Sequence, residues 1–467
     1  MTTYQPPHRD DSGLLDGLSD AQRRAIARLA AEFARRGAAL FLVGGSVRDL
    51  LLGRRAPDLD FATDAGPGAI REAAARAGAS AIHMANERFA TVGLQLEGEA
   101  LEITQFRGDV DGAAALTGLR EDLARRDFTI NAMALSLDLR APARLIDPFD
   151  GRGDLERHTV RGVGDPDARL AEDPLRALRA VRFAAEFDYT IEPETRAAVI
   201  RQAALRGVSP ERIGAELGRL LLTPHVAMGL QSLERLGLFP ASLPEVVPLV
   251  EFTAERSKDL WTHTRIVVAR TPPRAAVRWA ALLHDAAKPQ TYSVQGDEVH
   301  FFGHEVAGAR LARQALGRLR LGRELVAGVA KLVELHGRPA QYDASWTDGA
   351  VRRLLLDIGS WLDDLLDLAR ADVTSGRAQA QQRARARIDA LSAHCARIRA
   401  EQELAKLQSP LDGQDLMALF DRPPGPWIKP VKEHLRGLVI DGALAPDDRE
   451  GAMAAARRWV IEHEMVS

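Results

Sequence analysis

The stretch Leu42 to Thr63, LVGGSVRDLLLGRRAPDLDFAT, places two glycines directly after a short apolar run and then two aspartates one residue apart. The apolar run predicts a buried strand that the glycines end. Gly44 and Gly45 carry no Cβ, so their backbone N–H groups can approach a phosphate closely. A helix over residues 46–52 would add the positive end of its dipole, and Arg48 could bind phosphate oxygens through paired hydrogen bonds.

The two aspartates of this stretch, Asp58 and Asp60, would point to the same face of the next strand, because side-chain direction alternates along a strand. Two carboxylates so close together repel each other unless a cation lies between them. Mg²⁺ takes carboxylate oxygens and shares the rest of its coordination shell with phosphates. The stretch therefore predicts a site for a metal ion and a triphosphate. The alternative is a glycine turn beside two surface aspartates.

The pattern along the 467 residues changes near residue 150. Before it, a helical face over 18–37 is followed by predicted strands in ALFLVGG, APDLDFAT and GEALEITQF, a helix over 67–77 and the apolar segment FTINAMALSL. After it, Ala, Leu and Arg recur at helical spacing. We predict an α+β protein, in which a small α/β head with a mixed sheet precedes an all-α remainder. The predicted segments are a disordered N-terminus (1–15), the head (16–150), three helical pieces (151–245, 246–380 and 381–467), and one long charged helix within them (376–407).

Composition excludes several classes of protein. The single cysteine, Cys395, rules out a disulfide within the chain,. No apolar run approaches the roughly 18 residues of a membrane span, and the N-terminus lacks a signal-peptide core. We expect a soluble, cytoplasmic protein without a membrane partner. The net charge of −3 does not exclude nucleic acid, because arginines can cluster on one face,. The oligomeric state is left open.

Five motifs resemble those of one known family. GGSVRD with DLDFAT resembles the signature of class II tRNA nucleotidyltransferases and bacterial poly(A) polymerases. The segments at 125–134, 147–155, 171–184 and 209–217 resemble the remaining motifs in family order. The resemblance covers roughly residues 38–240. It implies a catalytic nucleotidyltransferase head followed by a helical neck that selects the nucleobase and binds RNA.

The resemblance also implies the chemistry of the head. Asp58 and Asp60 would hold two Mg²⁺ ions, of which one activates the 3′-hydroxyl of the RNA and the other stabilises the leaving pyrophosphate. Glu102, on the predicted strand EALEITQF, is the candidate for a third carboxylate, although it could equally be an outward strand residue. The residues expected near the ribose and phosphates are Arg126, Asp127 and Asn131.

A pair of polar residues in EDPLRALRAVR could select the base. Asp173 and Arg176 are three residues apart and would share one helix face. Aspartate accepts and arginine donates hydrogen bonds, whereas cytosine and adenine offer a donor beside an acceptor and uracil and guanine the reverse. Such a pair would accept C or A and reject U and G, as the resemblance also implies. Arg179 is a further candidate triphosphate ligand, as is Arg182; an ordinary surface salt bridge is the alternative for the pair.

The choice between CC and CCA addition depends on one loop. The resemblance implies that a flexible loop before RRDFT is needed when the pocket changes from C to A. Here the interval at 108–120, GDVDGAAALTGLR, has no aromatic residue, no proline and a single basic residue, and it is shorter than usual. This resembles the CC-adding subgroup. We predict addition of CC to the tRNA 3′ end from CTP; CCA addition from CTP and ATP, or addition of A alone or poly(A), is the alternative.

A second set of polar residues lies between 263 and 372. Imidazoles and carboxylates are the usual ligands of divalent transition metals. The order H…HD…H…H…D resembles the HD phosphohydrolase superfamily, a helical fold, over about 246–380. The implied ligands of one metal are His263, His284, Asp285 and Asp372, and those available to a second are His304 and His336.

This second resemblance leaves two alternatives open. The HD segment is either a phosphohydrolase acting on RNA ends, with Lys288 as a candidate phosphate ligand, or a purely structural domain. In a further alternative, the HD segment is the main catalytic site of the protein and the head domain only binds nucleotide. The segment 409–443 resembles the C-terminal part of bacterial family members, where it would either grip tRNA or simply pack as helices.

Overall fold

A computed structural model describes residues 12–86, 90–106, 114–138, 141–253, 259–374, 377–400 and 408–463. The chain forms two compact units, one up to Ser242 and one from Leu243 onwards. The predicted division at residue 245 lies close to this boundary. In the described part of the chain, no helix is both long enough and apolar enough to span a bilayer.

The described residues from Asp20 to Glu156 form an α/β head, whose end lies close to the predicted boundary at residue 150. The predicted disorder of residues 1–15 extends too far, because a 3-10 helix covers Ser12–Gly17, while residues 1–11 lie outside the described residues. In chain order the elements are α1 (Asp20–Arg35), β1 (Leu40–Val43), α2 (Gly45–Leu51), β2 (Leu59–Thr63), α3 (Pro67–Arg76), β3 (Ser80–Asn86), β4 (Thr91–Leu96), β5 (Glu99–Gln105), α4 (Ala114–Ala124), a 3-10 turn (Thr129–Asn131), β6 (Ala134–Ser136), β7 (Leu145–Ile146) and α5 (Gly151–Glu156).

One seven-stranded sheet organises the head, in the order β3-β4-β5-β2-β1-β6-β7. The pair β2–β5 is parallel and the other neighbours are antiparallel, so the predicted mixed sheet is confirmed. Leu42, Phe61 and Ile103 are fully buried at its centre. Their burial fixes which face of β1, β2 and β5 the remaining side chains must take, because the side-chain period of a strand is two.

Helices dominate the rest of the first unit. The 3-10 turn is followed by a neck whose helix α7 carries the buried side chains of Leu178, Val181 and Phe183. A short parallel pair, β8 with β9, ties the start of the neck to the end of α7. The elements are β8 (Thr159–Val160), α6 (Pro166–Glu172), α7 (Arg176–Phe187), β9 (Thr190–Ile191), α8 (Pro193–Arg201), α9 (Pro210–Leu221), α10 (Val226–Arg235) and α11 (Phe239–Ser242).

Among its described residues, the second unit is helical apart from one small hairpin, β10–β11. Of the long helix predicted over 376–407, residues 378–400 form α20, and residues 376 and 401–407 lie outside the described residues. The elements are α12 (Val247–Val250), α13 (Leu260–Arg270), α14 (Ala275–Leu283), α15 (Lys288–Thr291), β10 (Ser293–Gln295), β11 (Glu298–His300), α16 (His304–Arg318), α17 (Arg323–Leu335), α18 (Asp348–Ile358), α19 (Leu362–Asp372), α20 (Ala378–Ala400), α21 (Gly413–Phe420), α22 (Ile428–Ile440) and α23 (Arg449–Glu462), with 3-10 turns at Pro244–Val246, Pro339–Gln341 and Gly359–Trp361.

The last three helices have an apolar core of their own. Leu416 of α21, Val431 and Leu435 of α22 and Ala456 of α23 are fully buried together. The segment 409–443 therefore contributes α21 and α22 to this core, and its predicted contact with tRNA stays a prediction.

Gly151 is a packing point between α5 and the 3-10 turn Thr129–Asn131. A Cβ on Gly151 would collide with the carbonyl oxygen of Thr129. We expect Gly151→Ala to lower the free energy of unfolding by about 1–3 kcal/mol, because backbone must shift to admit the methyl group. The control Gly68→Ala, in α3, has no atom within 4 Å of its added Cβ and should be neutral or stabilising,. Urea unfolding measures both; equal losses would contradict the packing role.

Candidate active site and metal centre

The turn from β1 into α2 brings the glycine pair against an arginine. Gly44 has a φ of 73°, in the left-handed region that glycine adopts without strain,. A Cβ at this position would collide with the Arg126 guanidinium, so only glycine lets that side chain lie over the turn. The Nη1 of Arg126 lies 3.5 Å from the carbonyl oxygen of Asn131. The quoted GG motif and the RRDF motif therefore meet in space, as the sequence predicted for one site.

Three carboxylates converge on one face of the sheet. Asp60 and Glu102 are register partners on the parallel strands β2 and β5, so their side chains lie next to each other,. Asp58 immediately precedes β2, where Ser46 accepts from the Asp60 N–H at 3.2 Å and donates to the Asp58 carbonyl at 2.9 Å. The structure thus places the low-ranked candidate Glu102 beside the aspartate pair, and all three side chains reach solvent.

The electrostatics of this face suit a bound cation. Desolvation by the surrounding protein raises the pKa of Asp60, the negative charges of Glu102 and Asp58 raise it further, and the positive charge of Arg126 opposes the rise. Three carboxylates that destabilise one another's charge are relieved by a divalent cation. Because Mg²⁺ prefers carboxylate and phosphate oxygens, these side chains fit that ion chemically.

Arg48 lies at the same site but is held by protein groups. Its guanidinium donates to Asn131 Oδ1 at 2.6 Å and to both oxygens of Asp49 at 2.9 and 3.0 Å. It also lies over the rings of Phe183 and Phe187, at 5.3 and 4.8 Å. These contacts connect α2 with the neck helix α7. Its predicted contact with phosphate stays a prediction.

Asp127 is a buried bridge between the head and the neck. It accepts hydrogen bonds from the Phe128 N–H (2.8 Å), Asn131 Nδ2 (3.1 Å) and Arg179 Nε (2.7 Å). Burial alone would raise the pKa of Asp127, but the charge of Arg179 and these hydrogen bonds hold the pKa below its ordinary value. Asp127 therefore positions Arg179 and the 3-10 turn.

Asp173 and Arg176, the pair predicted to select the base, do not contact each other as a simple salt bridge. The carboxylate oxygens of Asp173 accept from Arg212 at 2.6 and 3.2 Å. Arg176 donates at 2.7 Å to the carbonyl oxygens of Arg169 and Arg125. Asp173 thus pairs with Arg212 rather than with Arg176, which is not the ordinary i,i+3 salt bridge considered as the alternative. Sequence reasoning missed Arg212, although it lies inside the motif SPERIGAEL.

These groups line one cavity of about 650 Å³, within the range of small-molecule sites,. Arg182, predicted as a triphosphate ligand, is buried and pairs with Glu216 and with Glu186, so its contacts are structural. Arg219 also lines the cavity and was not predicted. The polar residues around the cavity are Arg48, Asp58, Asp60, Arg126, Asp127, Asn131, Asp173, Arg176, Arg179, Arg182, Arg212 and Arg219.

A second cluster lies in the other unit and is centred on Asp285. Two groups of metal-ligating residues share this aspartate, and in each group the ligand atoms lie within 4.8 Å of one another. Asp372 joins the first group, with its Oδ1 3.0 Å from His263 Nε2 and 3.7 Å from His284 Nε2. The structure thus brings together all six predicted residues. The groups are His263, His284 and Asp285, and Asp285, His304 and His336.

The histidines of this cluster are oriented for metal binding. The Nδ1 atoms of His284, His304 and His336 each lie 2.7–2.8 Å from the carbonyl oxygen three residues earlier. Because a carbonyl only accepts, these Nδ1 atoms carry a hydrogen and the Nε2 atoms face the cluster, where each can bind a metal in the neutral form of the ring. Burial, and next the charge of His284, lower the pKa of His336 to about 4, so His336 is in its ligating neutral form at neutral pH.

An unpaired oxygen at the centre of the cluster suits the binding of a cation. Asp285 Oδ1 is buried and has no hydrogen-bond partner among the described residues. It lies 3.8 Å from His304 Nε2 and 3.9 Å from His336 Nε2. Burial would raise the pKa of Asp285, but His284 and the neighbouring cations hold it well below its ordinary value. An ionised carboxylate between two imidazole lone pairs is a donor set for a divalent transition metal.

Comparisons with known proteins agree with both sites. Residues 40–161 match the poly(A) polymerase head domain, 188–249 the probable RNA- and SrmB-binding site of polymerase A, and 253–388 the HD domain. These matches define the class: a nucleotidyltransferase head joined to an HD domain.

Individual relatives narrow the class to a family. The A-adding tRNA nucleotidyltransferase of Deinococcus radiodurans is 34% identical over 90% of this chain and 95% of its own. The CC-adding tRNA nucleotidyltransferase of Thermus thermophilus is 35% identical over 71% and 75%. The Bacillus stearothermophilus CCA-adding enzyme in complex with CTP has a TM-score of 0.66 and 25% identity over 96% and 99%.

The chain belongs to the tRNA nucleotidyltransferase and poly(A) polymerase family, and it is an enzyme of tRNA processing. The relatives between them add A, CC or CCA, so family membership leaves the nucleotide pattern open.

The Asp127–Arg179 pair should make the stability of the protein depend on pH in the acid range. Because the folded pKa of Asp127 lies below the unfolded value of about 3.9, its contribution to stability is complete above that pH and is lost as the pH falls through the folded pKa,. We expect Asp127→Asn to lower the free energy of unfolding at pH 7 by about 1–3 kcal/mol, the cost of a charge-assisted bond, and to flatten the loss of stability below about pH 4.

Urea unfolding at pH 7 and pH 3 measures this effect, with Asp16→Asn, an exposed acid, as the matched control. A variant Asp127→Asn with the stability and acid dependence of Asp16→Asn would show that the bridge contributes nothing.

Proposed function

We propose that this enzyme adds two cytidines to the 3′ end of tRNA from CTP, with Asp58, Asp60 and Glu102 holding Mg²⁺ in the head. The observation that carries the CC pattern is the short connection between β5, which ends at Gln105, and α4, which begins at Ala114. Residues 107–113, which include the first part of the interval 108–120, lie outside the described residues. Their sequence, RGDVDGA, offers no aromatic or proline with which a loop could change the pocket from C to A.

Support for nucleotidyl transfer comes from the arrangement of charges around the cavity. Bound Mg²⁺ would make the 3′-hydroxyl a better nucleophile and stabilise the leaving pyrophosphate. Arg126 and Arg179 line the same cavity as Asp58 and Asp60 and supply positive charge with which the triphosphate of CTP could pair,.

Base selection would fall to the Asp173–Arg212 pair and to Arg176. Arg212 orients the Asp173 carboxylate, whose remaining lone pairs can accept from the 4-amino group of cytosine,. The two carbonyls that hold Arg176 fix its guanidinium while leaving further N–H groups to donate to the cytosine ring nitrogen and carbonyl. A pocket whose polar groups are fixed in this way favours cytosine alone. A pocket that must also admit adenine has to change its shape.

The CC proposal predicts where addition stops. A tRNA that lacks its last three nucleotides should gain two residues with CTP alone and also two with CTP and ATP together, because nothing in the short interval would switch the pocket. Gel analysis of the 3′ end measures the product. A product three residues longer with both nucleotides would instead show CCA addition, and extension of a tRNA ending in CC by ATP would show A addition.

The carboxylates predict the loss of activity on substitution. Asp58→Ala with Asp60→Ala should reduce nucleotide addition by at least about 10²-fold, the usual cost of removing electrostatic stabilisation of a transition state. Binding of tRNA should change little, since the phosphate backbone dominates that affinity. Incorporation of labelled CTP measures the effect, with the exposed pair Asp16→Ala and Asp20→Ala as control. Persistent addition in the first double variant would rule out the proposed metal site.

A second activity is supported by the orphaned oxygen of Asp285. We infer that the HD cluster binds a divalent transition metal and hydrolyses phosphate esters at RNA ends, with Lys288, 2.8 Å from Asp285 Oδ2, near the phosphate. Asp285→Asn should lose bound metal and phosphohydrolase activity but keep CC addition. Metal content and phosphate release measure this, with Asp363→Asn, an exposed acid of α19, as control. Wild-type protein that binds no divalent metal at the cluster would contradict the activity.

A further inference from the structure

An exposed apolar surface borders the HD cluster. Eight large apolar side chains are exposed in the described part of the chain, and four of them belong to the single segment 292–306. Clustering of this kind on a soluble protein marks a binding surface more often than scattered exposure does. The four side chains, with their exposed fractions, are Tyr292 (36%), Val294 (49%), Phe302 (67%) and Val306 (49%), and together they are called the platform below.

Phe302 is exposed although its surroundings are well packed. Its ring stacks on that of His300, with centroids 4.7 Å apart and planes at 11°. The neighbouring residue Phe301 forms a cluster with Phe252 and Tyr292, with ring centroids 5.4–6.3 Å apart, and Tyr292 and Phe301 flank the β10–β11 hairpin. A ring supported on one face and exposed to solvent presents a flat, preorganised π surface.

The platform is joined to the metal cluster by covalent and polar contacts. Phe302 is two residues before His304, and the Phe301 carbonyl fixes the His304 ring through Nδ1 at 2.8 Å. Lys288 contacts the cluster and the residue before Phe302, with Nζ 2.8 Å from Asp285 Oδ2 and 5.5 Å from the centroid of Phe301. A ligand held here would therefore meet an aromatic surface beside cationic groups, which suits a planar base linked to a phosphate.

We propose that the platform is the nucleobase subsite of the HD cluster: the unpaired terminal base of an RNA stacks on Phe302 while the phosphate of that nucleotide lies at the Asp285 cluster. The proposal rests on the second activity inferred above. Stacking on an aromatic ring holds any base without reading its edge, so the subsite would be tolerant of sequence. The hairpin is then a specificity element that favours nucleotides over phosphate esters without a base.

Binding of a fluorescent base tests the proposal without relying on catalysis. The probe is 2-aminopurine riboside 3′-monophosphate, whose fluorescence falls on stacking, titrated into the Zn²⁺-loaded full chain with excess CTP to occupy the head cavity. Wild-type protein should quench the probe saturably. Phe302→Leu, which keeps apolar bulk but removes the ring, should weaken binding roughly 5- to 100-fold, as for the loss of one base stack. Phe302→Trp should restore it.

Two further measurements separate the ways in which the proposal could fail. Calorimetry with inorganic phosphate, again with excess CTP in the head cavity, should give equal affinities for wild type and Phe302→Leu, because the phosphate then binds at the cluster and does not contact Phe302. If phosphate does not bind to wild type, the inferred phosphohydrolase site itself is wrong. If phosphate binds but Phe302→Leu keeps wild-type affinity for the probe, the platform does not stack a base.

A five-nucleotide RNA with 2-aminopurine and a phosphate at its 3′ end distinguishes RNA from free nucleotide. Its affinity should show the same dependence on Phe302 as that of the mononucleotide. Dependence for the mononucleotide alone would overturn the assignment to RNA ends.

Discussion

The buried carboxylate of Asp127 is the interaction on which the catalytic geometry of the first unit depends. It joins the 3-10 turn after α4 to Arg179 on the neck helix α7, and Arg48 makes a second connection through Asn131. The carboxylates of the sheet and the polar groups of the neck therefore share one cavity at a fixed separation. If the Asp127–Arg179 contact were broken, a buried charge would be left without its partner, which is energetically costly. This cost holds the 3-10 turn and α7 in their relative positions.

The strands explain why the carboxylates converge. A parallel pair, β2 and β5, places Asp60 beside Glu102, and the alternation of side chains turns both away from Phe61 and Ile103 in the core. The pKa of Asp60 is raised there, first by desolvation and further by the negative charges of Glu102 and Asp58. In the HD cluster the carboxylate of Asp285 has different neighbours. It is ionised and surrounded by imidazoles, whose Nδ1 hydrogens are fixed by neighbouring carbonyls.

Much of this could be predicted from the sequence because the signals are local. The glycine pair, the two aspartates and the ordered histidines occupy short motifs, and Glu102 was the candidate for the third carboxylate because it lies on a predicted strand. The strands β3, β4 and β7 were not predicted: β3 lies at the sheet edge, where residues 80–85 are not buried, and β7 has two residues. The roles of Asp127, Arg182 and Arg212 depend on how α7 and α9 pack, which spacing along the chain does not specify. The CC pattern and the individual roles of the site residues stay proposals.

The central claim is that Asp58, Asp60 and Glu102 together hold a divalent cation for CTP. Electron paramagnetic resonance of Mn²⁺ with a non-hydrolysable CTP analogue tests it most directly, in an Asp285→Asn background that removes the HD cluster. The account predicts bound Mn²⁺ in this background, with binding weakened by Glu102→Gln and abolished when Asp58 and Asp60 are also replaced by asparagine. Undiminished Mn²⁺ binding to the variant that lacks all three carboxylates would contradict it.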